Sequence, residues 1–137
     1  MGESDLSDSI WAETTDGGLL AQLFGYEPTL HDARIREISA TGDRLELGIE
    51  YEDRPEAGEK ELRVHFSLVF IGGVEAEFSL EAFDICGFSL SRKMGRIRAD
   101  IAYCDGQFGF ACADGLDVRL EAVDPLRCEA PGRLKIC

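Results

Sequence analysis

At 137 residues the chain is long enough for one hydrophobic core and too short for two, and with 45% hydrophobic and 30% charged residues it is too apolar to be disordered. The formal net charge of −13 at pH 7 sets it against nucleic acid and anionic membrane surfaces, because affinity for phosphate comes largely from Lys and Arg displacing counterions. A charged partner is expected to be basic, and one β-rich domain over residues 17–137 is expected behind a partly ordered acidic leader over residues 1–16.

The leader carries Glu3, Asp5, Asp8, Glu13 and Asp16 without a Lys or Arg, the opposite of the basic start that export and organelle signals use. The longest uncharged apolar run, Phe66 to Val74, is far short of the roughly 20 residues of a membrane-spanning helix. A cytoplasmic location is the expectation. Trp11 is placed to pin the leader to the core. Gly18 to Gly25 then reads as one short helix with Asp16 as N-cap and Gly25 as stop. Leu19, Leu20, Leu23 and Phe24 form its apolar stripe.

Further on, the hydrophobic period becomes two. Ala33 to Ser39 is a first strand, and Leu45, Leu47, Ile49 and Tyr51 alternate with polar residues in a second. A polar loop over Asp53 to Glu59 leads to a third strand at Leu62, Val64, Phe66, Leu68 and Phe70. Gly72-Gly73 is a favoured two-residue hairpin turn, and it is expected to join that strand to Val74, Ala76, Phe78 and Leu80. Ile85 to Ser91, Arg96 to Tyr103, Gln107 to Ala113 and Leu116 to Val123 follow, with Asp105-Gly106 and Asp114-Gly115 as turns. The pattern predicts a mainly β fold, an antiparallel sandwich or strongly curved sheet of about eight strands with one short N-terminal helix. Leu134 and Ile136 offer a further edge strand.

Chemistry-bearing patterns are sparse. Cys86, Cys104, Cys112, Cys128 and Cys137 are odd in number and contain no C-x-x-C pair, so neither a disulfide framework nor a zinc site is expected, and Cys104 and Cys112 read as small packed hydrophobes. His31-Asp32 is the most suggestive dipeptide, but neighbours in an extended segment point to opposite faces. The other histidine, His65, lies in a strand pattern. No metal, no cofactor and no catalytic residue is expected. Ser89 and Ser91 lack a nucleophile-elbow context, and Gly87 and Gly106 to Gly109 read as bulges and turns. The cations at Arg92, Lys93, Arg96 and Arg98 form a solvated hairpin tip around Gly95. Two acidic rows stand out: Glu46, Glu50 and Glu52 share one outward face, and Glu75, Glu77 and Glu81 share another. The rows either meet, as an anionic surface that tolerates cross-strand repulsion, or lie apart as solvated faces.

The stretch Leu20 to Asp32, Leu-Ala-Gln-Leu-Phe-Gly-Tyr-Glu-Pro-Thr-Leu-His-Asp, resembles the start of the immunity protein 50 family of bacterial polymorphic toxin systems, in which a helix leads to a Phe-Gly, an aromatic, a Pro and a His-Asp. Phe24, Gly25, Pro28, His31 and Asp32 match, while Tyr26 and Leu30 replace larger aromatics. The resemblance implies a non-enzymatic protein that binds and neutralises a cognate toxin in the cytoplasm of the producing cell. On that reading Glu46, Glu50, Glu75 and Glu77 are the candidate partner-binding residues, and the matching motif residues are structural. The alternative is a small-molecule or lipid-like ligand carrier, with Phe66, Phe70, Phe78, Phe83, Phe88, Phe108 and Phe110 lining a cavity. An enzyme would require His31 and Asp32 to converge with a further polar group.

Overall fold

The computed structural model describes residues 10–55, 61–78 and 84–125. Its centre is the pairing of β2 (Arg44–Asp53) with β3 (Leu62–Ile71), set by their alternation. Leu47, Ile49 and Tyr51 stand opposite Leu68, Phe66 and Val64 and all six are buried; a slip of one residue would turn every one of them to water. β1 (Arg34–Thr41) flanks β2 and β8 (Gly115–Pro125) flanks β3, giving an antiparallel sheet of order β1-β2-β3-β8. A second antiparallel sheet has order β4-β7-β6-β5, built from β4 (Glu75–Glu77), β5 (Ile85–Lys93), β6 (Arg96–Tyr103) and β7 (Phe108–Ala113).

The two inner faces differ in bulk and fit each other. Phe66, Leu68 and Phe70 of the first sheet share one core with Ala99, Ala111 and Ala113 of the second, the large-against-small arrangement that fills a core without voids. The sheets are also stitched along one seam. Arg34 bridges Asp84, the Asp32 N–H donates to the Ile85 carbonyl at 2.7 Å, and the Ile85 N–H donates to the Ala33 carbonyl at 2.8 Å. The eight strands therefore form two antiparallel sheets that share one core and are tied along one seam, the sandwich that the alternation predicts.

α1 (Gly17–Phe24) closes one end. Gly25 stops it in the left-handed conformation with φ 83° and returns its N–H to the Ala21 carbonyl, the αL termination that glycine favours. Leu20 and Phe24 are fully buried, whereas Leu19 faces solvent, so the apolar stripe is narrower than predicted. Asp16 holds the N-cap position, but its side chain makes no capping bond: Thr14 Oγ1 accepts the Gly17 N–H at 2.9 Å, and Asp16 Oδ2 accepts the Leu120 N–H at 2.8 Å. The Asp16 N–H donates to the Val118 carbonyl, so residues just before the helix cover the open edge of β8, which would otherwise present unpaired backbone groups. Trp11, in a 3-10 turn over Trp11–Glu13, meets Phe66 of one sheet and Phe88 of the other with ring centroids 6.2 and 6.1 Å away.

The predicted hairpin at Gly72-Gly73 is a corner instead, and so is the turn predicted at Asp114-Gly115. Gly72-Gly73 carries the chain from β3 in the first sheet to β4 in the second, and Asp114 carries it from β7 back to β8. The corner is held from a distance: Asp43 accepts the Gly73 and Val74 N–H groups on its carboxylate, and Arg96 donates to the Gly73 carbonyl at 2.6 Å and to Asp114 at 2.7 Å. Those backbone bonds, with the Arg96 charge adding to them and slight burial opposing, hold the Asp43 carboxyl below its usual range. Cys104 is exposed rather than packed, because it follows the inward Tyr103 at the start of a tight turn, and Cys112 is half-buried. The predicted positions Leu80, Glu81 and Phe83, most of the loop after Pro55, the leader before residue 10, Cys128, Cys137 and the strand at Leu134 and Ile136 lie outside the described residues. Among the described residues no helix is long and apolar enough to cross a membrane.

Candidate functional site

The inward alternation of β2 leaves Glu46, Gly48, Glu50 and Glu52 on the outer face of the first sheet, where the flanking strands supply arginines. Arg36 pairs with Glu50 from β1, and Arg63 Nε from β3 lies 3.3 Å from Glu50 and 2.6 Å from Glu52. Arg44 approaches Glu46 at 3.6 Å. The bulge between Ile35 and Glu37 shifts the register so that Arg36 reaches Glu50. Over Gly48 lies a polar trough of about 450 Å³ lined by Arg36, Glu37, Glu46, His65 and Glu121. Ser67 at its base is 2% exposed and donates its hydroxyl to Glu121 at 2.6 Å.

The outer face of the second sheet has another chemistry. Register places Gly87, Ala102 and Phe108 in one cross-strand row and Ser89, Asp100, Phe110 and Glu77 in the next. Gly87 and Ala102 leave a depression between the taller side chains, a groove of about 420 Å³ walled by Phe108, Phe110 and Arg98 and closed on the β4 side by Glu77. Phe108 is 78% exposed. Arg98 lies 4.4 Å above the Phe110 ring and pairs with Asp100 at 2.9 Å, a cation–π contact that fixes one wall. Glu75 lies beyond Cys112 on the same face, 3.8 Å from Arg96.

A third cluster surrounds the chain between α1 and β1. Phe24, Pro28 and Leu30 are buried, and Phe24 packs edge-on against Tyr51 at 5.4 Å. Leu30 and Asp32 take positive φ, 57° and 67°, in the region that non-glycine residues rarely occupy. That turn corrects the expectation for an extended dipeptide: His31 Nδ1 sits 3.1 Å from Asp32 Oδ2, with side chains 61% and 74% exposed. The pair is out in solvent, and the Asp32 backbone serves the seam to β5. Beside it, a hydrogen bond with Cys86, then burial and the charges of Cys86, Asp32 and Asp84, push the Cys104 thiol up to about 11. It stays protonated at neutral pH and is a poor nucleophile.

Beneath the same turn, Tyr51 Oη donates to Asp53 and contacts Thr29 Oγ1. Burial, then the bond to Asp53, raises the Tyr51 phenol from 10.0 to about 12. The folded chain holds that proton more tightly than the unfolded one, so the stabilisation is complete below pH 10.0 and lost as pH climbs toward 12. A tyrosinate absorbance titration of the folded protein, compared with Tyr51→Phe, is expected to show the missing phenol ionising near pH 12. A midpoint at the ordinary tyrosine value would show that Tyr51 is not enclosed.

No family model, curated protein or solved structure matches the chain. The candidate faces therefore rest on geometry. Of the four candidate binding residues, Glu46 and Glu50 are on the outer face of the first sheet and Glu75 and Glu77 on that of the second; the fold does not bring the four together. Among the described residues no group of three or more His, Cys, Asp or Glu is arranged to hold a metal ion. The phenylalanines do not share one cavity: Phe66 and Phe70 are core, Phe78 and Phe88 pack against it, Phe108 and Phe110 face outward, and Phe83 lies outside the described residues.

Phe108 and Phe110, which the ligand-carrier alternative set with five other phenylalanines around one cavity, face outward and wall the groove instead. The signal was present in β7, where Gly109, Ala111 and Ala113 occupy the alternate positions, and in the β6–β7 turn. Asp105-Gly106 pairs Phe108 with Ala102 and Phe110 with Asp100, so the aromatic positions belong to the side carrying Arg98 and Asp100, opposite buried Ile97 and Ile101.

Proposed function

We propose that this chain is a non-enzymatic protein of the immunity type, which neutralises a cognate bacterial toxin domain by direct binding in the cytoplasm of the producing cell, and that the toxin domain is basic. The observation that carries the reading is a pair of outer sheet faces on which strand register sets rows of carboxylates, Glu46, Glu50 and Glu52 on one and Glu75 and Glu77 on the other. The net charge of −13 steers a basic partner toward them. The resemblance of Phe24 to Asp32 to immunity proteins supplies the class of partner.

Where a neighbouring gene encodes a toxin domain, co-expression with it is expected to restore growth that the domain alone abolishes, and a neighbourhood without such a gene counts against the reading. Because the acidic candidates sit on two faces, they are tested in pairs: Glu46→Lys with Glu50→Gln on one, Glu75→Lys with Glu77→Lys on the other. The pair that faces the toxin is expected to slow association by about tenfold or more at low salt, with the difference shrinking as salt is added. Continued toxicity together with no detectable complex would remove the immunity reading. The runner-up, a small-molecule or lipid-like ligand-binding β domain, draws on the groove of about 420 Å³ over the second sheet, which is within the size range of ligand sites. A thermal shift with a metabolite, in a chain that binds no toxin, would select it.

A further inference from the structure

The two outer faces differ in what their carboxylates already do. On the first sheet, Glu46, Glu50 and Glu52 each have an arginine beside them. On the second, Glu75 reaches Arg96 only at 3.8 Å, and Glu77 makes no ion pair among the described residues. Next to Glu77 lies the apolar groove with its small floor, Gly87 and Ala102, and its exposed aromatic, Phe108. Apolar area ringed by charge is the anatomy of a protein interface centre, where aromatic side chains carry a disproportionate share of affinity.

We infer that this groove on the second sheet is the seat of the basic partner, taking one large apolar side chain of the partner against Phe108 and Phe110, with a lysine or arginine of the same segment set against Glu77 and Glu75. The inference rests on the proposed binding function and assigns it a face. Charge complementarity favours a protein segment: a cation beside the apolar anchor meets the carboxylates that lack close partners, while Arg98 is occupied by Phe110 and Asp100. A small molecule is less well served, because the groove runs along an open sheet face and ligand sites enclose most of their ligand.

The test uses the full chain and a non-toxic variant of the toxin domain that a neighbouring gene encodes on this reading, with affinity measured by calorimetry. Phe108→Asp puts a charge where the anchor would sit. Gly87→Leu fills the floor; a Cβ there meets only the Ala102 Cβ at 3.7 Å, an ordinary contact. Each substitution is expected to weaken binding by about tenfold or more while the melting temperature stays that of the parent. Glu27→Lys, a charge reversal at an exposed position on the loop between α1 and β1, is expected to change affinity by less than about twofold, as a peripheral charge does. If Phe108→Asp and Gly87→Leu bind as tightly as the parent, or if Glu46→Lys alone abolishes the complex, the groove is not the seat, and the immunity reading survives on the other face. If the parent chain forms no complex, both fall together.

Discussion

Replacing Trp11 with alanine is expected to lower the unfolding free energy by about 3–5 kcal/mol, the usual cost of deleting a buried aromatic. The side chain is 5% exposed and touches rings from both sheets, so its removal opens a void that neither sheet can collapse into alone. Local bonds make the effect larger than that of a surface tail. Thr14 Oγ1 donates to the Trp11 carbonyl at 2.7 Å and accepts the Gly17 N–H, and a Cβ at Gly17 would lie 2.1 Å from that same carbonyl oxygen. The turn around Trp11 is therefore built as one piece with the start of α1. A loss of this size is a large part of the roughly 5–15 kcal/mol available to a single domain. Urea unfolding followed by far-ultraviolet circular dichroism measures it, since the substitution removes the one tryptophan. A loss below about 1 kcal/mol would show that the segment before the helix is not part of the core.

The strands were legible because each alternation has one apolar and one polar side; β6, predicted at Arg96 to Tyr103, has those bounds in the structure. The turns at Met94-Gly95 and Asp105-Gly106 were legible as well, since positive φ at Gly95 and Gly106 is what tight hairpins require. Gly72-Gly73 was not, because two flexible residues serve a corner as readily as a hairpin, and what decides between them is Asp43 and Arg96, far away in the chain. Glu46, Glu50, Glu52, Glu75 and Glu77 lie on the faces that the alternation assigned them, but the neutralisation of Glu50 and Glu52 by Arg36 and Arg63 depends on strand order and on a bulge in β1. The groove was hidden for a related reason: phenylalanine is core by default, and only the pairing of β7 with β6 turns Phe108 outward. At His31-Asp32, departures from extended geometry on either side of His31, at Leu30 and Asp32, brought together side chains that strand periodicity would separate.

Gly109→Ala is expected to cost about 1–3 kcal/mol, as overpacking of a filled site does, although it adds only a methyl group. A Cβ on Gly109 would lie 2.8 Å from the Glu77 carbonyl oxygen and 3.3 Å from the Tyr103 ring. The carbonyl belongs to the backbone of β4 and cannot rotate aside as a side chain can. β4 is also the shortest strand in its sheet, three residues that pair among the described residues with β7 only, so the conflict is expected to be relieved by β4 lifting away. Hydrogen exchange at residues 75–77 should then accelerate while β6 keeps its protection, because local opening follows the least stable element. Since β4 carries Glu75 and Glu77, association with a basic partner seated on the second sheet should slow as well. Gly87→Ala is the control: its Cβ would lie 3.7 Å from Ala102, so stability is expected to stay within about 0.5 kcal/mol of the parent. Equal stability of the Gly109→Ala and Gly87→Ala chains would mean that β4 does not lie against β7 as closely as the geometry requires, and the carboxylates beside the groove would lose their anchor.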